Sequence, residues 1–411
     1  MAFHLIEQTL LLFGEWHFVP LGYSFIHSTR ARASGASSSA PACFTYAGSV
    51  PSPTPIQDAV ALRLERFIAQ MRTESDEYGA DAAGFLDAAA DTLIGGKRLR
   101  ARFCHAGWRA TARFADRNAA ETDALWDVCA ALEIFQSAAL VHDDLIDNSD
   151  TRRGRPAAHR ALESAHRTAR WTGDAAAFGR ASAILLGDLL VAWSDDLLET
   201  ALREHPFAAT VRTEYARMRR DVTTGQFLDI AEESAWIVND DAIHAERALR
   251  VASLKSARYS IEQPLILGAA FAGAEDDQVQ ALRRFGRPVG MAFQLRDDVL
   301  GVFGDAAVTG KPTGDDLREG KRTVLVALTR EALDSPARTV FDELLGDPEL
   351  TAQQVSFLQA TIDGSGALAR IETMITDYAR EADLALSGAR LDNAAVGDLR
   401  DLARAATVRS A

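Results

Sequence analysis

Two groups of aspartates stand out by their spacing. Asp143, Asp144 and Asp147, with Asp150 just beyond, form D-D-x-x-D at the end of an apolar stretch that runs through Leu132 and Phe135. On a helix the four-residue interval puts Asp143 and Asp147 on one face, about 5–6 Å apart at Cβ, where like charges repel. A solvated acidic face scatters its charges, but this pair is embedded in Leu140, Val141, Leu145 and Ile146, so a cation must relieve the repulsion. Oxygen-only ligands from one helix suit Mg²⁺, which keeps several waters and completes its shell with phosphate oxygens. The second group, Gln294-Leu295-Arg296-Asp297-Asp298-Val299-Leu300-Gly301 with Asp305 following, again ends an apolar helix. Two such helix ends look like two jaws of one metal site, in which several Mg²⁺ ions act as Lewis acids on a diphosphate leaving group.

Basic residues stand where that reaction needs them. Gly95-Gly96-Lys97-Arg98-Leu99-Arg100 follows a turn and precedes a helix. Backbone N–H groups, the helix N-terminus, Lys97 and Arg100 can therefore converge on an anion. An ordinary basic first turn runs against the macrodipole, which prefers acids there. Thr151-Arg152-Arg153-Gly154-Arg155 follows the first aspartate group; Gly310-Lys311-Pro312-Thr313-Gly314-Asp315-Asp316 follows the second, with Lys321 further on. Lys255 lies in an apolar helix beside Ser256, and Gln226 and Asp229 share a helix face at i, i+3. Singly, Lys255 or Gln226 reads as structural; with two acidic jaws they form a set.

The ordered set G-G-K-R-x-R, D-D-x-x-D with R-R-G, G-Q-x-x-D, K-x-x-x-Y, F-Q-L-x-D-D and G-K-x-x-G-D-D with a later Lys resembles the trans-isoprenyl diphosphate synthase (polyprenyl synthetase) family, in its geranylgeranyl diphosphate synthase-like form, over roughly residues 58–411. The resemblance implies an all-α homodimer with a single large helical domain around a central cavity. It implies a prenyltransferase that uses Mg²⁺, three ions per site, to join isopentenyl diphosphate to dimethylallyl, geranyl or farnesyl diphosphate. By the same matching, Asp143 and Asp147 are metal ligands of the first jaw and Asp297 of the second, while Asp144 and Asp298 support metal-bound waters. Lys97, Arg100, Arg153 and Gln136 would bind isopentenyl diphosphate. Arg152, Lys255, Gln294 and Lys311 would hold the allylic diphosphate, Gln226 joins the substrate-binding set, and Lys321 closes the site.

Two positions depart from the family pattern. The second motif reads D-D-x-x-G, so Gly301 removes a third carboxylate, and Asp305 and Asp315 are the candidates to compensate. Ala101 stands where proline is common, which alters how the helix starts but removes no charge. The expected chemistry is metal-assisted loss of diphosphate, attack of the isopentenyl double bond on C1, and proton loss to the released diphosphate. Positioning and charge stabilisation in a dry cavity suffice for it, and His142 is expected to pack rather than react. One helical turn rises about 5.4 Å, close to one five-carbon unit. Ala139 and Ala138, four and five residues before Asp143, are small, and Phe135 is the first bulky floor, so a twenty-carbon product is expected. A class I terpene cyclase would leave Lys97, Arg100 and Arg153 unexplained. A non-catalytic subunit of a heteromeric synthase would have lost the acids and bases that this chain keeps.

The elements that position these residues read as helices. Of 411 residues, 47% are hydrophobic and 25% charged, a well-buried globular profile. From Ile56 onward apolar residues recur at i, i+3, i+4 and i+7, notably over 208–231, 242–270, 275–302, 322–346 and 366–387, and strand signals are nearly absent. Residues 28–55 turn to Ser, Ala, Gly and Pro, so residues 1–57 read as a loose extension. A start placed too early and a weak organelle-type address carrying Arg30 and Arg32 stay open for that segment. The net charge of −14 argues against nucleic acid. Cys43, Cys104 and Cys129 form neither a disulfide framework nor a zinc motif, which fits a reducing cytoplasm. No run of about 18 consecutive apolar residues is present, so stable membrane insertion is not expected.

Overall fold

The chain's computed structural model describes residues 55–115, 122–305 and 313–407. Cys43, Lys311 and nearly all of the expected 1–57 extension lie outside these residues. The first helix begins at Pro55, slightly ahead of the expected boundary. The helices are α1 (Pro55–Glu74), α2 (Ala80–Thr92), α3 (Leu99–Ala115), α4 (Asp123–Ile146), α5 (Ala158–Thr168), α6 (Ala175–Leu202), α7 (Ala208–Ala235), α8 (His244–Val251), α9 (Gln263–Phe271) and α10 (Asp276–Phe303). They continue as α11 (Asp315–Glu319), α12 (Val324–Ala332), α13 (Ser335–Leu344), α14 (Ala352–Gly364), α15 (Ala367–Ala385) and α16 (Asn393–Thr407). Among the described residues the only sheet is a two-stranded hairpin, β1 (Thr151–Arg152) with β2 (Arg155–Pro156).

Side-chain oxygens start several of these helices by accepting otherwise unpaired backbone N–H groups. Thr122 accepts from the Leu125 N–H to open α4, and Asp174 accepts from Ala176 and Ala177 to open α6. Thr351 and Gln354 form a reciprocal capping box at α14. The apolar period then decides burial. Leu125, Val128, Cys129, Leu132 and Ile134 of α4 are fully buried, so α4 is the central rod that carries Asp143 at its last turn. It packs along α6, with α1 and α3 against its other sides.

The stretch expected as one helix over 242–270 is three: α8, a π-helical segment Ala252–Glu262, and α9. Such i→i+5 segments widen the helix and frequently mark functional sites. Two glycines admit this wider backbone. A Cβ at Gly225 of α7 would overlap the backbone of Leu254 and Lys255, and one at Gly290 of α10 would overlap the backbone of Ala257. The π segment is therefore clasped between α7 and α10, with Lys255 beside Gln226. The expected helix over 322–346 also divides, because Asp334 accepts from the Ala337 N–H and starts α13 with Pro336 near its front.

Two helices, α4 and α6, are long and apolar enough to cross a membrane by length and average hydropathy. Neither is a consecutive apolar run, since Asp127 and Glu133 interrupt α4 and Arg180, Asp188, Asp195 and Asp196 interrupt α6. The most apolar 18 residues of α4 are 72% buried in the protein, whereas those of α6 are only 33% buried.

Candidate active site

Four parts of the chain bring an amide and three cations to the end of α4. Gln226 Nε2 of α7 donates to Asp143 Oδ1 at 3.2 Å, and Lys255 Nζ of the π segment lies 3.3 Å from the same oxygen. Arg152 of β1 donates from Nη2 to Asp143 Oδ2 at 3.4 Å and from Nε to Asp144 Oδ1 at 2.7 Å. Lys321, beyond α11, sits 3.2 Å from Asp147 Oδ2 and 2.7 Å from Glu319 Oε2. Ser149 Oγ donates to Glu319 Oε1 at 3.1 Å, so the segment after the second motif reaches the first. Lys255 also donates to Asp229 Oδ2 at 2.5 Å.

Burial and neighbouring charge pull these groups in opposite directions. Burial raises the Asp143 carboxyl, but Lys255, Lys321 and Arg152 outweigh it and hold the group below the ordinary range. At Asp147 burial wins over Lys321, and the Asp143 charge adds to it, so this carboxyl is raised. Burial works against charge on Lys255, yet Asp143 and Asp229 hold the ammonium above its ordinary value. Lys321 behaves alike, held well above by Asp316, Glu319, Asp147 and Asp143. Both lysines are cations, fixed by acids.

In the second motif Asp297 is half-buried and Asp298 buried. Gln294 Nε2 donates to Asp298 Oδ1 at 2.6 Å, so this glutamine is engaged with the jaw itself. Burial, followed by the Asp316 charge, pushes the Asp298 carboxyl up to about 8. Gly301 has a specific neighbour: a Cβ there would overlap the Asp316 carboxylate. Asp305 is exposed, and the carboxylate beside Gly301 belongs to Asp316 rather than to Asp305 or Asp315.

The expected isopentenyl side assembles around the start of α3. Arg153 and Gly154 have φ of +53° and +71° between paired Arg152 and Arg155, a two-residue hairpin turn. This turn lays the Arg153 guanidinium over the glycine loop, where Nη1 donates to the Ile94 carbonyl at 3.4 Å. Arg100 Nη2 donates to Ser260 Oγ at 2.7 Å, and its guanidinium lies 4.1 Å from the Tyr259 ring centroid. Its Nε is buried without an acceptor. Tyr259 Oη donates to Gln136 Oε1 at 2.8 Å. Lys97 is exposed at the loop. Arg98 turns inward, donating to the Leu93 carbonyl at 2.5 Å and lying 3.8 Å from Glu133.

Phe135 packs edge-on to Tyr215 and Tyr259, with centroids 6.2 and 5.8 Å away. Ala138 is fully buried and Ala139 half-buried. His142 Nε2 lies 3.2 Å from the Ile184 carbonyl of α6, packed against Gly187. Glu319 and Ser260 were not singled out by spacing. Glu319 lies two residues before Lys321 in an acidic run, and that proximity was its only signal. A cleft of about 420 Å³ lined by Arg102, His105, Arg109 and Asp398 shares no residue with either jaw.

The donor set suits a hard divalent cation. All the acids offer oxygen, and Asp147 Oδ2 is buried, faces a lysine and still accepts no hydrogen bond. Among the described residues no three acidic, His or Cys side chains converge closely enough to hold an ion unaided. An ion would therefore take one or two protein oxygens per jaw and fill its shell with water and substrate oxygens.

An all-α fold in which the segment after one aspartate motif reaches the other, where Lys255, Lys321 and Arg152 gather, is that of the isoprenoid synthases. The chain belongs to the polyprenyl synthetase family, whose model matches residues 84–362. A geranylfarnesyl diphosphate synthase of Aeropyrum pernix is 31% identical over 291 residues, 70% of this chain and 82% of that one. A geranylgeranyl diphosphate synthase of Mycobacterium tuberculosis is 33% identical over 240 residues, 58% of this chain and 62% of that protein. The match likewise spans 62% of the short chain isoprenyl diphosphate synthase of Methanocaldococcus jannaschii. Among solved structures, a geranylgeranyl pyrophosphate synthase of Corynebacterium glutamicum complexed with isoprenyl diphosphate and magnesium aligns with a TM-score of 0.81 and 36% identity, covering 86% of this chain and 98% of that one.

Proposed function

We propose that this chain is a Mg²⁺-dependent trans-prenyltransferase that condenses isopentenyl diphosphate with dimethylallyl, geranyl or farnesyl diphosphate and makes geranylgeranyl diphosphate. The observation that carries the reading is the 3.2 Å approach of Lys321, from the segment after the second motif, to Asp147 of the first. Asp143, Asp147 and Asp297 would hold the metal, with Asp144 and Asp298 behind them. Mg²⁺, when bound, supplies Lewis-acid charge neutralisation at the diphosphate oxygens.

Arg152, Lys255 and Lys321 add fixed positive charge where the C1–O bond breaks and its electron pair leaves with diphosphate. Gln294 and Lys311 would join them in holding the allylic diphosphate, and Gln226 would be part of the substrate-binding set. Lys97, Arg100, Arg153 and Gln136 orient isopentenyl diphosphate so that its double bond attacks C1; the proton then lost goes to the released diphosphate. Phe135 lies about 12 Å down α4 from Asp143 at 1.5 Å per residue. It points toward α7 and the π segment, the elements that carry Gln226 and Lys255, which supports it as the floor for a twenty-carbon tail. Arg152 is already bound to both Asp143 and Asp144, and therefore acts as much by setting the first jaw as by touching substrate.

The same reading makes the protein a cytoplasmic homodimer that binds no nucleic acid. Ile184 and Leu185 of α6 are 49% and 61% exposed beside Asp188, an apolar patch that a second copy would cover. The function is tested by incubating the purified chain with isopentenyl and farnesyl diphosphates and separating the dephosphorylated products by chromatography. A twenty-carbon alcohol with Mg²⁺ and none with EDTA is expected. Cyclised hydrocarbon, or no incorporation of isopentenyl carbon, would contradict the reading.

A further inference from the structure

Gly301 occupies an expensive place for glycine, inside the last turns of α10, where it costs about 1 kcal/mol relative to alanine. A side chain there would have to displace the Asp316 carboxylate, which its Cβ would overlap. Position 301 is four residues after Asp297, as Asp147 is four after Asp143. A side chain at i+4 shares the face of its partner. The Asp316 carboxylate of α11 thus occupies the space where a side chain at 301 would begin.

We propose that Asp316 is the second carboxylate of the second metal jaw, and that Gly301 is the vacancy that admits it. The inference rests on the Mg²⁺-dependent reading above and extends it to a residue from another helix. It gives the jaw the same two-carboxylate form as Asp143 with Asp147. It also links the jaws through one short segment. Asp316 lies 3.8 Å from Lys321 Nζ, and Lys321 contacts Asp147. An ion bound at Asp297 and Asp316 would hold the backbone that carries Lys321 against the first jaw. The covalent alternative, an acid on α10 itself, cannot coexist with Asp316 in this position.

The test uses the full chain and four proteins: wild type, Asp316→Asn, Gly301→Asp, and Gly301→Asp with Asp316→Gly. Binding of inorganic diphosphate is measured by calorimetry at graded Mg²⁺, with thermal unfolding as the control for folding. Asp316→Asn keeps the shape and removes the charge. It should raise the Mg²⁺ needed for half-maximal diphosphate binding by about tenfold, as loss of a metal-site support does, without lowering the melting temperature. Gly301→Asp should impair binding at least as much, because two carboxylates compete for one space. The double variant restores one carboxylate from α10 and should return to within about threefold of wild type. Unchanged Mg²⁺ dependence in Asp316→Asn, or a folded double variant no better than Gly301→Asp, overturns the proposal. If the double variant does not fold, Asp316→Asn decides alone. A wild type that binds Mg²⁺ and diphosphate but makes no prenyl product counts against the prenyltransferase reading and leaves Asp316 standing.

Discussion

Asp298 shows how far burial, helped by neighbouring acids, can move a single carboxyl. Its Oδ1 accepts from Gln294, but burial and the Asp316 charge carry it to about 8 in the metal-free protein. Between the ordinary carboxyl range and pH 8 the folded chain therefore holds a proton that the unfolded chain has lost. Stability falls with rising pH wherever the folded state binds more protons. The contribution is fully present at low pH and is lost as pH climbs through 8. Asp298→Asn imitates the protonated form and keeps the Gln294 acceptor. Its melting temperature without metal should drop less than that of wild type between pH 5 and 9; parallel curves would refute the assignment. The acids themselves were legible in the sequence, because two repelling pairs amid apolar residues need a cation. What Asp298 leans on was not legible: Asp316 is eighteen residues away, and only folding sets it beside Gly301. The sequence pointed to Asp305 and Asp315, which share its composition but not its place.

At the scale of elements, α4 would tie chain length to chemistry under the proposed function. Asp143 and Phe135 sit on one rod, and the aromatic contact of Phe135 with Tyr215 and Tyr259 closes the space on the side of the π segment. Ala138 is fully buried, so a phenyl ring there must intrude on whatever lies beside it. Ala138→Phe should shorten the product from twenty to fifteen carbons, read by chromatography, while an unchanged length refutes the helical ruler. Helix identity and the positions of α4, α7 and α10 were legible from the 3.6-residue period. The π segment was not, since its residues keep a helical look and its i→i+5 bonding depends on Gly225 and Gly290 in other helices. The hairpin at Arg153-Gly154 was likewise hidden: its strands have two residues each, too few for any alternation to register.

Across the whole molecule, the −14 charge and the phosphate chemistry cease to conflict once the charges are located. Acids converge at two motifs, and Lys255, Lys321 and Arg152 stand among them, while α6 exposes Ile184 and Leu185 beside Asp188. Leu185→Glu on that face should convert a dimer to a monomer in light scattering after size exclusion, with little change in melting temperature of the separated chain. A wild type that is already monomeric contradicts the dimer. The central claim is that the two jaws act as one metal-dependent site for breaking an allylic C–O bond. It is tested most directly by the rate of isopentenyl incorporation at saturating Mg²⁺ in Asp143→Ala against wild type. Asp143 binds Gln226, Lys255 and Arg152 together. A fall on the order of a thousandfold with the fold intact is expected; turnover near that of wild type would rule out a shared metal site.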